Sequence, residues 1–250
     1  MRRPVLAANW KMNYGPAEAR AFIAAFTARW TRRSDRTVVF FPPAISLTTV
    51  VHAIAGRADL GVGVQNIWTE DKGAFTGENS APIAKDAGAK YALVGHSERR
   101  HVFGETDAQT AKKCVAAVRG GITPLLCVGE LLSERDAGTT NDVVLRQLET
   151  GLSELTADAI ASMAIAYEPV WAIGTGKTAT PADASTVHAA IRSLLEAKLG
   201  GPRAADVPIL YGGSVNTGNA KSLLSTPGID GLLVGGASLD VEGWATICDT

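Results

Sequence analysis

A carboxylate stands at the end of a run too apolar to face water on either side. Met163-Ala164-Ile165-Ala166-Tyr167 leads into Glu168 and Pro169, and Val170-Trp171-Ala172-Ile173-Gly174-Thr175-Gly176-Lys177 follows at once. Such a run reads as a parallel strand buried on both faces, so Glu168 emerges at its carboxyl end, where α/β barrels and open α/β sheets place their chemistry. Other polar residues recur at places of the same kind. Lys11, in Asn9-Trp10-Lys11 after the first apolar run, offers an ammonium to a substrate anion. In Gly95-His96-Ser97-Glu98-Arg99-Arg100, His96 takes the last position of another strand and Ser97 is placed to cap a short helix. The positive end of that helix favours a neutral ring, which can donate a hydrogen bond to a carbonyl oxygen without being a strong acid. Gly212-Gly213-Ser214 and Gly235-Gly236-Ala237-Ser238 follow the last two apolar runs. Glycine lets backbone N–H groups approach an anion closely, and (β/α)₈ barrels commonly hold phosphate at these two loops. Each residue has a structural alternative: a solvated glutamate, a surface lysine, a satisfied histidine, a tight turn. Their common position is the functional signal.

Those positions require strands. Eight are predicted, over Val5 to Ala8, Thr37 to Phe41, Leu60 to Val64, Tyr91 to Val94, Thr123 to Val128, Met163 to Tyr167, Pro208 to Tyr211 and Gly231 to Val234. Between them lie helical stretches such as Pro16 to Trp30, Ala81 to Ala87, Asp107 to Arg119, Thr140 to Glu154 and Pro181 to Leu199. Strand–helix alternation at this spacing implies crossovers and a parallel sheet, and eight units in 250 residues fit an α/β fold closed as a (β/α)₈ barrel. A doubly wound open sheet is the alternative. Gly200-Gly201-Pro202-Arg203 fits a helix-ending turn rather than a linker, so residues 1–250 read as one domain.

Composition narrows the function classes. A 46% hydrophobic content and a net charge of −1 describe a globular chain with no charge excess for nucleic acid or an anionic membrane. The apolar stretch after Arg2-Arg3 is broken at Asn9 and Lys11, too short for a signal-peptide core, so an uncleaved cytoplasmic protein is expected. Cys114, Cys127 and Cys248 are far apart and odd in number, which reads as reduced, buried thiols, with Cys127 packing the barrel. Neither they nor the four histidines have metal-ligand spacing.

Asn9-Trp10-Lys11-Met12-Asn13, Gly95-His96-Ser97-Glu98-Arg99-Arg100, the run from Ala166 to Lys177 and Tyr211-Gly212-Gly213-Ser214-Val215 resemble the signatures of the triosephosphate isomerase family, in order and across essentially the whole chain. The resemblance implies a TIM barrel isomerase of glycolysis and gluconeogenesis that interconverts dihydroxyacetone phosphate and D-glyceraldehyde 3-phosphate. It makes Glu168 the proton-abstracting base, His96 the electrophile, and Asn9 and Lys11 the residues that hold substrate. Gly174, Ser214, Gly235 and Gly236 would bind its phosphate. Glu98 would support the site near Lys11, or else pair with Arg99 or serve as a helix-start charge. Moving a proton between neighbouring carbons needs one carboxylate and a stabilised enediolate oxygen, with no metal or organic cofactor. Val170 to Thr178 would be a lid that excludes water.

The segment from Gln65 to Glu78 is a long connection with little regular pattern, and its Phe75 lies close to glycines. In the family the corresponding loop docks into a partner beside its catalytic lysine, which implies a homodimer through Phe75, Thr76 and Glu78. Tyr14 departs from the family, which usually has glycine directly after the position of Asn13, and leaves the local loop shape open. Two rival functions remain: a Schiff-base aldolase using Lys11, and a non-catalytic phosphosugar-binding barrel. The flanking Asn9 and glutamates would keep Lys11 charged, against the first. The presence of both Glu168 and His96 argues against the second.

Overall fold

Strand β1, Val5–Asn9, is buried along its whole length because its two faces meet two different cores. Val5 and Ala7 belong to a barrel interior shared with Val39, Phe41, Leu93 and Cys127, whereas Leu6 and Ala8 pack outward with Phe22, Ile23 and Phe26 of the first helix. This is the period of two expected of a strand covered on both sides. The structure, a computed structural model, describes residues 1–173 and 179–250. Strands β2 (Thr37–Phe41), β3 (Leu60–Val64), β4 (Tyr91–Val94), β5 (Thr123–Val128), β6 (Ala164–Tyr167), β7 (Ile209–Tyr211) and β8 (Gly231–Val234) follow in order, all parallel. Pairing of β8 with β1, in register from Val5 with Gly231, closes the barrel and excludes the open sheet.

The alternation that sorts the core also aims the site. Continuing the inward parity of Val5 and Ala7 reaches Asn9, and that of Ala164 and Ala166 reaches Glu168. Interior volume is shared unevenly: a Cβ on Gly63 of β3 would sit 2.2 Å from the Phe41 ring, so the missing side chain is what admits that ring.

Helices cover the outside, from Pro16–Arg29 to Val241–Asp249. Helix Asp107–Arg119 starts as predicted, on a reciprocal cap in which the Thr106 hydroxyl accepts from the Gln109 N–H and Gln109 accepts from the Thr106 N–H. Helix Pro181–Leu199 opens the same way on Thr180 and Asp183. Gly200, at φ 79°, ends that helix as expected, but Gly201–Asp206 then forms a further short helix, because Pro202 suits a first helical turn. The strand limits also shift: β1 runs on to Asn9, β6 begins at Ala164 and β7 at Ile209. Cys114, Cys127 and Cys248 are buried free thiols. Among the described residues no helix is long and apolar enough to cross a membrane.

Candidate active site

At the carboxyl mouth of the barrel a cavity of about 450 Å³ is lined by Asn9, Lys11, His96, Glu168, Ser214 and the Gly235-Gly236 pair. Seven residues singled out from five strand ends therefore face one space. Gly174, Gly176, Lys177 and Thr178 lie outside the described residues, and with them most of the segment read as a lid. Phe75, Thr76 and Glu78 sit elsewhere, on the connection between β3 and helix Ala81–Asp86.

Glu168 follows β6 directly and is 2% exposed. Its position depends on glycine: a Cβ on Gly129 would lie 1.7 Å from the Glu168 carbonyl oxygen, and one on Gly212 would lie 2.9 Å from its Cγ. Oε1 is 3.0 Å from His96 Nε2, and Oε2 accepts the Ser97 N–H at 2.9 Å. Burial pushes this carboxyl up, but the His96 ring, the Ser97 N–H and nearby Lys11 outweigh it and hold it below the usual range.

His96 corrects two expectations. It lies two residues past β4, which ends at Val94, and it, rather than Ser97, caps helix Ser97–His101, its Nδ1 accepting the Glu98 N–H at 3.3 Å. Gly95 at φ 69° makes the turn that brings the ring back over the barrel. That helix has only five residues, and the largest influences on the ring are its burial and the Glu168 carboxylate. Burial favours the neutral form, the carboxylate favours the imidazolium, and the balance raises the His96 pKa instead of lowering it. The accepting Nδ1 leaves Nε2 as the atom that presents a proton to the cavity.

Lys11 adopts φ 51°, a left-handed conformation for a residue with a Cβ, and its N–H donates to Asn9 Oδ1 at 3.0 Å. Its Nζ pairs with Glu98 Oε1 at 2.7 Å, while Arg99 turns to Glu105. Of the readings open for Glu98, the pair with Lys11 and the charge in the first turn of helix Ser97–His101 are both present, and the pair with Arg99 is not formed. Gly235 leaves room for the Lys11 stem, whose Cε would be 3.2 Å from a Cβ there, and a Cβ on Gly236 would meet nothing within 4 Å. Ser214, on the cavity lining, is fixed through its carbonyl, which accepts from Asn219 Nδ2 at 3.0 Å. Tyr14, at φ 69°, keeps the left-handed turn that glycine would make easily, packs its ring on Trp10 and Phe22, and donates its hydroxyl to the Leu239 carbonyl.

Several residues around the site escaped the sequence reading. Buried Glu130 accepts from Trp171 Nε1 at 2.8 Å and from the Tyr167 hydroxyl at 3.2 Å, and burial raises its carboxyl. It stands just past β5, so the rule that found Glu168 could have found it. Arg100 donates to the Gly95 and Cys127 carbonyls at 2.7 and 3.1 Å, and Glu105 accepts the Gly95 N–H at 3.1 Å. Gln147 both donates to and accepts from Gly129 across the floor of the neighbouring turn. These clamps come from helices and loops, where no strand-end signal points to them.

A carboxylate, an imidazole N–H, an ammonium and two glycine loops on one cavity can move a proton on a small anionic carbonyl compound. Residues 4–250 match the family model described as triosephosphate isomerase. The chain is 47% identical to the triosephosphate isomerase of Solibacter usitatus over 247 residues, covering 99% of each chain. It is 48% identical to that of Moorella thermoacetica over 248 residues, covering 99% of this chain and 98% of the relative. With that of Chloroflexus aurantiacus the identity is 46% over 247 residues, with the same coverage.

Proposed function

The chain belongs to the triosephosphate isomerase family, aldose–ketose isomerases that interconvert dihydroxyacetone phosphate and D-glyceraldehyde 3-phosphate, and from that premise we propose that Glu168 is its base and His96 its electrophile. The observation that carries this reading is the meeting of Glu168 Oε1 and His96 Nε2 at 3.0 Å in a cavity that also holds Lys11 and both glycine loops. Substrate entering between them takes over the Nε2–H at its carbonyl oxygen, and Glu168 turns from the imidazole to the carbon-bound proton. One carboxylate removes that proton and returns it to the neighbouring carbon. Lys11 and Asn9 face the developing oxyanion, and Ser214, Gly235 and Gly236 hold the phosphate through backbone N–H groups. Glu98 is a positioning residue that fixes the Lys11 ammonium. That ion pair favours an electrostatic role over the free amine an aldolase needs.

The single barrel domain pairs as a homodimer through Phe75, Thr76 and Glu78, and it works in the cytoplasm. Support for the dimer is exposed apolar surface: Met12 and Phe103 beside Lys11 and His96, Val102 next to Phe103 in the chain, and Phe75 on the connection after β3. A coupled isomerase assay on the wild type and on Glu168→Asp tests the assignment. Shortening the side chain by one methylene should keep the fold and cut turnover by roughly 10²-fold. Near-normal turnover in the Asp variant removes Glu168 from the role of base, and borohydride trapping of substrate on Lys11 would reinstate the aldolase.

A further inference from the structure

The reaction site occupies the carboxyl mouth of the barrel, and the opposite mouth holds a second cavity of about 410 Å³ between the loops that enter β2, β3 and β4. Its lining includes Arg2, Arg32, Arg33, Arg36, Lys90 and Tyr91, in a chain whose net charge is −1. We propose that this mouth binds a small phosphate-bearing anion, seated on Arg32 and Lys90.

The cations of this mouth differ in how firmly they are held. Asp59, its side chain 2% exposed, is gripped by Arg57 through both oxygens at 2.8 and 2.9 Å. Asp35 is shared by Arg33 and Arg36 at 2.7 and 3.0 Å, and Arg36 also donates to the Cys248 and Thr250 carbonyls. Three cations remain. The Arg2 guanidinium reaches only a carbonyl, that of Ser34. Arg32 keeps one long ion pair, with Asp59 at 3.9 Å, and donates no side-chain hydrogen bond among the described residues, and there the Lys90 ammonium has no partner. The Tyr91 hydroxyl, also on the lining, makes no hydrogen bond among the described residues. A network that served stability alone would match its charges. Loosely held cations lining one concave surface, more numerous than the carboxylates beside them, instead raise a positive potential that a multivalent oxyanion relieves, with guanidinium and ammonium donors suited to phosphate oxygens.

The neighbouring surface limits what is attached to that phosphate. A groove of about 310 Å³ shares Ala58, Leu60, Gly61 and Lys90 with the cationic cavity and continues over Val51 and Ile54. An anionic group and a less polar body therefore fit side by side, as in a nucleotide, while a phosphorylated sugar would use the cationic half only. Neither cavity touches the residues assigned to isomerisation, so the proposal stands apart from that assignment.

Amide NMR of the full-length ¹⁵N-labelled protein, titrated with inorganic pyrophosphate and separately with ATP, tests it. The expected result is saturable shifts at residues 32–37, 58–61 and 90–91, distinct from any at Ser214, Gly235 and Gly236, where phosphate also has a seat. Replacing both Arg32→Ala and Lys90→Ala should weaken that binding at least tenfold while kcat and KM for isomerisation stay unchanged, and Arg32→Glu alone should do the same. Tighter binding of ATP than of pyrophosphate would identify a nucleotide as the occupant, and equal affinity a phosphorylated compound without a base; both support the site. Shifts confined to the reaction site, or an affinity at the amino-terminal mouth that these substitutions leave unchanged, would overturn it.

Discussion

The side-chain amide of Gln65 donates to the Lys11 carbonyl at 2.7 Å and to the Phe41 carbonyl at 2.8 Å. It therefore joins the loop after β3 to the strained backbone of Lys11, whose φ of 51° costs about 1–3 kcal/mol and persists only where its surroundings hold it. Among the described residues the Lys11 carbonyl has no other donor.

Gln65→Leu should release that backbone. The Lys11 carbonyl would lose its donor, at about 1–3 kcal/mol of stability if left dry, while the Phe41 carbonyl keeps the Trp10 N–H, and the Lys11 ammonium would be displaced. We expect a higher KM and a kcat/KM lower by roughly 10²-fold, because displacement of a positioned group by about 1 Å has effects of that size. Steady-state kinetics beside a thermal melt would separate the two effects. Unchanged KM in a folded variant would show that Lys11 keeps its conformation unaided.

His96 should titrate above its ordinary value in the free protein, since the Glu168 carboxylate overrides the burial that favours a neutral ring. Glu168→Gln removes that charge and should drop the His96 pKa below the wild-type value, which ¹⁵N NMR of labelled histidine reads directly. The sign carries over to stability. A lowered Glu168 contributes above its unfolded pKa of about 4.3, and a raised His96 contributes below its unfolded pKa of about 6.5. The stability difference between wild type and Glu168→Gln should be greatest between those values, falling toward acid as Glu168 protonates and toward alkali as His96 loses its proton. A difference that is flat with pH would mean the two groups are not coupled.

Tyr14 sets a strained φ of 69° against the burial of its ring on Trp10 and Phe22. Tyr14→Gly should relieve about 1 kcal/mol of backbone strain and lose about 1.5–3 kcal/mol of apolar burial, so the variant should be less stable overall. Tyr14→Phe keeps the ring and loses only the hydroxyl bond to Leu239, with a cost near 1 kcal/mol. Chemical denaturation orders the three proteins. A glycine variant more stable than wild type would show that the strain outweighs the packing.

Shortening the loop from Lys72 to Asn79 should give monomers of low activity. Within one chain the loop is closed at its base by the Trp68 N–H to the Asn79 carbonyl at 2.8 Å, and among the described residues the Phe75 ring has one aromatic neighbour, Trp68, 5.5 Å away, with 39% of the residue's surface open. Sedimentation and the isomerase assay belong on the same sample. Fully active monomers would show that the interface is dispensable.

The sequence by itself determined the barrel and the membership of its mouth. Eight short apolar runs separated by helical stretches leave few topologies, and period two then dictates that Asn9 and Glu168 follow their inward neighbours into the cavity. It could also supply the residue types at each strand end, because those lie at fixed offsets from an apolar run. What only the tertiary structure decided is which of those groups meet and what each does to the others. The His96 proton answers to Glu168, 72 residues away in sequence, and Glu98 chooses Lys11 over its neighbour Arg99. Gln65, Arg100, Glu105 and Gln147 were illegible as clamps for the same reason. Their partners are backbone atoms, which carry no signature in the residue string, and through-space distance, not spacing along the chain, sets the strength of a charge or a hydrogen bond.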